Sequence, residues 1–447
     1  MSADTTRELL SVEEARAAIL GAVAGPLSTE TVDVDGSLGR VLAEDVVAAV
    51  TLPPWNNSAM DGYAVRFADV AAAGDDAPVR LRVVGEVPAG GVANGEVGHG
   101  SAIRIATGAP IPAGADAVVP VEATTPLDAA GTAGPRGRDA AGPLPAAILV
   151  HEPGRAAAHI RLRGSDLSEG ATILASGSAM TPAAVALAAG AGLPAVSVRR
   201  RPRVAVLATG NEVRPAGTDL GPAGIPDANG PGLRALVEAA GAEAIRLGIA
   251  PDDLDDVTGR LRAALDTGAD AIVVAGGVSV GPYDVVKLAF ESIGEIGLWR
   301  VAVQPGKPFA FGTAPRRDGG RALLFGLPGN PVSSFVTFEL FVRPAIRSLA
   351  GRRDLYRAVD RAVLLDEVRT APNRRAFLRA TAERDVDGSP QRDGRGRVRV
   401  RLSHGPAGQG SHVLSALAAA DALAVVREDV EVHAAGDAVD LWWLDPA

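Results

Sequence analysis

A chain of 447 residues, 47% hydrophobic and 22% charged, exceeds one ordinary core and predicts about three domains by size alone. A net charge of -9 argues against general nucleic-acid binding, and the absence of cysteine excludes disulfides, thiolate metal sites and cysteine nucleophiles. The six histidines form no H-x-x-x-H pair, which argues against a zinc site.

The opening MSADTTRELLSVEE is acidic and polar, and no apolar run is long enough to span a bilayer, so a cytoplasmic protein without membrane insertion is expected. A helix should open at Ser11, where S-V-E-E makes a capping box with Glu14 and places Val12, Ala15, Ile19 and Val23 on one face. Short alternating runs at residues 31–35, 102–106 and 117–121, set between glycines and prolines, predict a β-rich domain. Residues 123–147 are dominated by Ala, Gly, Pro and Thr and predict a long mobile surface loop. An Ala-rich helix follows at 181–190, and the basic run ending at Arg203 marks a new domain.

From residue 204 onward, apolar runs at 204–208, 244–249, 271–274 and 323–327 alternate with helical patterns at 231–240, 254–265, 285–293 and 332–349. This rhythm predicts a mostly parallel sheet covered on both faces. Runs at 396–402, 422–426 and 438–443 then predict a small C-terminal β-barrel or sandwich.

Ligands of open parallel sheets bind at the carboxyl ends of the strands, so the loops there carry the functional expectation. They read T-G-N-E at Thr209, Gly210 and Glu212, G-G-V-S-V-G-P-Y-D at 276–284, and L-P-G-N-P at 327–331. Gly276, Gly277 and Gly281 let the backbone turn tightly and offer its amides to an anionic or polar group, whereas in one such loop alone the simpler reading is that glycines end a strand. Glu212, Asp227 and Asp284 are oxygen ligands of the type that suits Mg²⁺ bridging to phosphate. They read equally well as a helix cap and solvated loop acids. Asp252, Asp253, Asp255 and Asp256 read as capping and surface charge. Lys307 sits in the restricted turn Q-P-G-K-P, Asp61 in the polar turn N-N-S-A-M-D-G-Y-A-V, and Arg379 on a strand upstream of G-Q-G-S-H at 408–412.

Taken in order, N-N-S-A-M-D-G-Y-A-V, R-I-A-T-G-A-P-I-P-x-G-A-D-A-V-V at 104–119, R-G-x-D at 163–166, T-G-N-E, G-G-V-S-V-G-x-x-D, P-G-K-P and L-P-G-N-P resemble the molybdopterin molybdenumtransferases. This is the family of bacterial MoeA proteins and of the C-terminal domain of gephyrin, and the motifs cover nearly the whole chain. The resemblance implies a multidomain α/β plus β fold, with an elongated linker domain over 1–52 and 148–200 and an inserted β-rich domain over 53–147. An α/β molybdopterin-binding domain would follow over 201–351 and a C-terminal β-barrel over 352–447.

The implied activity takes adenylylated molybdopterin and molybdate, inserts molybdenum and releases AMP with Mg²⁺, in a homodimer whose cleft is completed across subunits. Asp61, Thr107, Asp166, Glu212, Asp227, Asp284 and Lys307 are the implied catalytic residues. Thr209, Gly210, Gly276, Gly277, Ser279, Gly281, Pro328 and Pro331 would bind the pterin nucleotide. Arg379 and Ser411 would bind the oxyanion, with Arg300 and Gln304 standing where some members carry lysines. Glu212, Asp227 and Asp284 are the implied metal ligands. A competing reading, also implied by the resemblance to gephyrin, is a dimeric peptide-binding scaffold with a protein partner and reduced or absent metal insertion.

Overall fold

Apolar runs between residues 203 and 327 decide the central architecture, because the most continuous of them, such as AIVV at 271–274, cannot leave a face in water. The computed structural model describes residues 9–137, 142–152, 154–277 and 285–444. Within it β1 (Arg203–Thr209), β2 (Glu243–Ala250), β3 (Ala271–Ala275), β4 (Glu295–Arg300), β5 (Pro308–Pro315) and β6 (Arg321–Leu327) form one sheet in the order β2-β1-β3-β6-β5-β4. The pairings β2/β1, β1/β3 and β3/β6 are parallel, and β6/β5 and β5/β4 are antiparallel.

Helices α1 (Asn229–Ala239), α2 (Leu254–Asp266), α3 (Val285–Ile293) and α4 (Pro331–Thr337) join the strands, as the alternating pattern predicted. The last continues through a π-helical segment, Phe338–Val342, into α5 (Arg343–Leu349). Alternate strand residues feed two cores: Val204, Val206, Val273 and Phe325 on one face, and Ala205, Leu207, Ile272, Val274 and Leu324 on the other. The antiparallel strand β4 was missed by the sequence reading. Gly297 interrupts its pattern, and Trp299 becomes interpretable only once it stands 5.2 Å from Phe311 across the strand pair.

The N-terminal helix Val12–Gly21 has the expected capping box, with Ser11 Oγ accepting Glu14 N at 3.1 Å and Glu14 Oε2 accepting Ser11 N at 2.8 Å. Its apolar face (Val12, Ala15, Ile19) joins the first of the two cores. After α5 the chain forms β7 (Val359–Leu364), β8 (Arg375–Ala382), β9 (Val398–Leu402), β10 (Ala422–Val426) and β11 (Ala438–Trp443). Their order β8-β9-β7-β11-β10 returns to β8, which closes a five-stranded barrel around Leu378, Val400, Ala424 and Leu441.

A separate compact unit comprises Asp45–Ala175 and Pro182–Val196. Its six-stranded sheet runs Ala117–Pro120, Gly62–Val65, Ser101–Ile105, Val79–Val87, Ala147–Val150, Thr124–Leu127. The loop expected over 123–147 is therefore corrected, because Thr124–Leu127 pairs antiparallel with Ala147–Val150 and buries Thr124 and Leu127. Low content of large apolar residues hid a four-residue strand whose two buried side chains, Thr124 and Leu127, stand at its ends. Among the described residues no helix is long and apolar enough to cross a membrane.

Candidate functional site

Three adjacent parallel strands end at one level. Ala208 of β1 faces Ala275 of β3, which faces Leu327 of β6, so the loops that follow emerge side by side. Gly276 N donates to Leu327 O at 3.1 Å and Thr209 Oγ1 to Ala275 O at 3.4 Å, which ties the three ends together. The loops line a cavity of about 870 Å³ with Thr209, Gly210, Glu212, Asp227, Gly276, Gly277, Pro328 and Pro331 in its wall. His412 and Leu414, from the segment between β9 and β10, line its far side.

The glycines are required where they stand. Gly276 has φ +100°, and a Cβ there would lie 2.7 Å from both Thr209 O and Thr209 Oγ1. Gly277 has φ +62°, and its Cβ would meet Val286. Ser279, Gly281 and Asp284, singled out from the sequence, lie outside the described residues.

Asp227 is buried, with Oδ1 accepting Gly230 N at 2.7 Å in the first turn of α1 and Oδ2 paired with Arg246 at 3.1 Å. Both oxygens are thus engaged, which makes Asp227 a cap and an ion-pair partner in this geometry. Glu212 is exposed in the cleft wall. Among the described residues no three His, Asp or Glu side chains converge enough to hold a metal ion by themselves.

The sequence reading missed Asp252. It treated this residue as part of a capping run, and Asp253 does cap α2 through Asp256 N at 2.9 Å. Asp252 instead lines the cleft and exchanges hydrogen bonds with Asn211, accepting from its amide at 3.2 Å and donating its own to Asn211 Oδ1 at 3.1 Å. The available signal was position, since Asp252 follows β2 just as Asn211 follows β1.

The barrel contributes through the loop after β9. Asn330 stands at the N-cap position of α4, yet its Nδ2 donates to Ser411 Oγ at 3.0 Å instead of its oxygen capping the helix. Val332 N donates to Ser411 O at 3.2 Å, so Ser411 is docked on the L-P-G-N-P turn, where Pro328 is buried and Pro331 begins the helix. Arg379 is fully buried on the face of β8 opposite the barrel core, with Nη2 donating to Gly408 O at 2.9 Å and Gly410 O at 3.2 Å. Its Nε has no partner, and burial without a counter-ion pulls its pKa down to about 10.

Gln304 Oε1 accepts Ala371 N at 2.8 Å. Lys307 is half-buried, with its carbonyl accepting Val301 N at 3.0 Å, and Arg300 is exposed at the end of β4. Lys307, Arg300, Gln304 and Arg379 are not among the residues lining the cleft.

In the separate unit, Asp61 Oδ1 accepts both Thr107 N at 2.7 Å and Thr107 Oγ1 at 2.9 Å. The pair forms because Gly62 and Ile105 are opposite each other on antiparallel strands, which leaves Asp61 and Thr107 just past the two ends. Asn56 Oδ1 accepts Arg163 N at 2.8 Å, joining the N-N-S turn to the R-G-x-D turn, on which Asp166 is exposed.

Known proteins give the same picture. The model for the MoeA N-terminal region (domain I and II) matches residues 10–192, that for a probable molybdopterin binding domain matches 205–348, and that for the MoeA C-terminal region (domain IV) matches 361–444. Molybdopterin molybdenumtransferase 2 of Mycobacterium tuberculosis is 39% identical over 421 residues, covering 93% of this chain and 95% of that protein. The molybdopterin molybdenumtransferase of Haemophilus influenzae is 36% identical over 345 residues, 77% of this chain and 79% of the relative. A crystal structure of the molybdopterin biosynthesis moeA protein from Pyrococcus horikoshii OT3 superposes with a TM-score of 0.75 at 28% identity, covering 98% of this chain and all of that one. With relatives matched along nearly their whole length and the same order of domains, the chain belongs to the MoeA family of molybdopterin molybdenumtransferases.

Proposed function

We propose that this protein inserts molybdenum from molybdate into adenylylated molybdopterin, releasing AMP, in the biosynthesis of the molybdenum cofactor. The observation that carries the reading is the single cleft in which the loops after β1, β3 and β6 and the barrel loop at His412 meet. The amides of the glycine loop after β3 donate hydrogen bonds to phosphate oxygens, and Gly210 lets the T-G-N-E backbone approach the substrate. Lys307 supplies positive charge for phosphate or oxyanion. Arg379 and Ser411 serve the oxyanion from the barrel side, and Arg300 and Gln304 tune its affinity.

Glu212, a described acid in the cleft without a competing cation, fits a magnesium site, with substrate oxygens and waters completing the shell. Mg²⁺ bound there would neutralise charge on the phosphates as the anhydride breaks. Asp227 orders α1 and the cleft wall through Gly230 and Arg246, a positioning role. We further propose the domain division 1–52 with 148–200, 53–147, 201–351 and 352–447, a cytoplasmic location, and a homodimer in which Asp61, Thr107 and Asp166 act in the shared cleft.

The test is direct. Purified protein mixed with adenylylated molybdopterin, molybdate and Mg²⁺ should release AMP and reconstitute an apo-molybdoenzyme. Pterin-nucleotide binding without either product overturns the reading.

A further inference from the structure

Pro344 stands within the long buried helix that begins at the L-P-G-N-P turn, and it accounts for the π-helical segment before it. Having no N–H, it leaves the carbonyl four residues back, Leu340 O, without its α-helical donor, and its ring crowds that carbonyl. The chain answers with a wider turn, in which Arg343 N donates to Phe338 O, five residues back. Leu340 O finds a donor on another element: Arg16 Nε, on the N-terminal helix, reaches it at 3.1 Å.

Arg16 is held there from the barrel side. Its guanidinium lies 4.7 Å from the ring centroid of Tyr356 and 5.0 Å from that of Trp442 on β11. Nearly one turn earlier on the same helix, Glu13 pairs with Arg375 at the start of β8. The N-terminal helix is thus braced against the barrel, and Arg16 carries that bracing to one carbonyl of the π turn.

That turn sets the register of α4. Each residue of an α-helix turns about 100° and rises about 1.5 Å, so closing the π turn to an α turn would rotate α4 by about that angle against α5. α5 is itself tied down by the ion pair of Arg347 with Asp354. Two contacts of α4 depend on its present register. Asn330 and Val332, at its start, hold Ser411. Thr337, its last residue, packs on Gly306, where a Cβ would lie 2.5 Å from Thr337 Cγ2, and Gly306 precedes Lys307.

Resting on the reading of Lys307 and Ser411 as ligand-binding groups, we propose that Arg16 is a positioning residue for both. Its hydrogen bond to Leu340 O holds the π turn, and the π turn holds the helix on which the Lys307 turn and the Ser411 loop rest. Acting through backbone register, Arg16 serves substrate affinity and leaves the chemical step alone.

Steady-state AMP release by the full-length protein tests this, together with hydrogen exchange of the same variants. Arg16→Met removes the donor and keeps a long side chain. Its KM for adenylylated molybdopterin should rise by about fivefold or more with kcat within about twofold of wild type, and the amides of 332–337 should exchange faster while those of 398–402 in the barrel do not. Arg16→Lys, which keeps a cation and a donor, should bring KM back to within about twofold of wild type. Should Arg16→Met fail to fold, adding Pro344→Ala gives Leu340 O a helical N–H, and KM of the double variant should still be raised because the π turn is no longer held. A folded variant lacking Arg16 at the wild-type KM overturns the proposal. Wild type that releases no AMP overturns the reading of the cleft instead, and unchanged exchange over 332–337 in Arg16→Met then overturns the positioning role by itself.

Discussion

Replacing Gln304 with lysine should exchange stability for oxyanion affinity. Gln304 Oε1 accepts the Ala371 amide at 2.8 Å, and Val303–Gln304 pairs with Arg375 and Ala376 at the start of β8, so this side chain ties the segment after β4 to the barrel. An ammonium has three donors and no acceptor, which leaves the Ala371 amide unmet. A buried amide in that state costs about 1–3 kcal/mol, and because Gln304 is half-buried the lower end, about 1 kcal/mol, is expected. On the other side, a positive charge added near a dianion in a partly solvated pocket gains about 1 kcal/mol, worth roughly tenfold or less in affinity. Gln304→Glu separates the two effects. It keeps an acceptor for Ala371 while adding a negative charge, so stability should hold and molybdate affinity should fall. Urea denaturation reads the first quantity, and titration with molybdate and tungstate at fixed ionic strength reads the second. If Gln304→Lys unfolds at the wild-type urea midpoint, the Ala371 bond carries no weight in the fold. If neither variant moves oxyanion affinity, the segment does not face the oxyanion, and selection rests on Arg379 and Ser411 or on another group.

Gly276→Ala should destabilise the protein by about 2 kcal/mol and abolish nucleotide binding, since φ +100° is strained for alanine and its Cβ would stand 2.7 Å from Thr209 O; a wild-type melting temperature would show that the three strand ends are not rigidly joined. Lys307→Ala should weaken nucleotide binding more at low salt than at high salt, because a lysine–phosphate contact is screened; equal affinity at both ionic strengths would return Lys307 to an ordinary surface role. Hydrogen bonds from the Arg397 side chain and from the amides of Arg397 and Arg395 hold the Asp393 carboxyl down at about 2. A carboxylate depressed in the folded state adds stability above its unfolded pKa and loses it as pH falls through the folded value. Between about pH 4 and 2 the melting temperature of wild type should therefore fall more than that of Asp393→Asn, and parallel curves would refute the assignment.

Much of the central sheet was legible because its signals are local. Val204, Val206, Val273 and Phe325 recur with the period of a buried strand, and Ser11 with Glu14 announces a helix start within one turn. The motif loops were legible for the same reason, since T-G-N-E, G-G and L-P-G-N-P follow strands whose ends the pattern locates. Gly276 could be flagged from sequence, but its need for φ +100° comes from Thr209, which is distant in sequence and adjacent only across the β1/β3 pair. Asp252 was misread for a related reason. Its neighbours Asp253 and Asp256 do serve α2, and only the parallel pairing of β1 with β2 brings Asp252 to Asn211.

Arg379 shows where pattern reasoning stops. Its place on a strand was readable, yet which face it takes was not: Ala376, Leu378 and Ala380 of β8 fill the barrel core, so Arg379 stands on the opposite face, where the 408–410 loop covers it. There its Nη2 is held by the Gly408 and Gly410 carbonyls, in the same loop that docks Ser411 on Asn330. A guanidinium buried without a carboxylate is costly, and two neutral carbonyls offset that cost only in part. An oxyanion would offset it further, but it reaches that Nη2 only after the Gly408 and Gly410 carbonyls have yielded it. On the oxyanion role proposed for Arg379, a dianion would have to take the place of those two carbonyls, in the loop that carries His412 into the cleft wall.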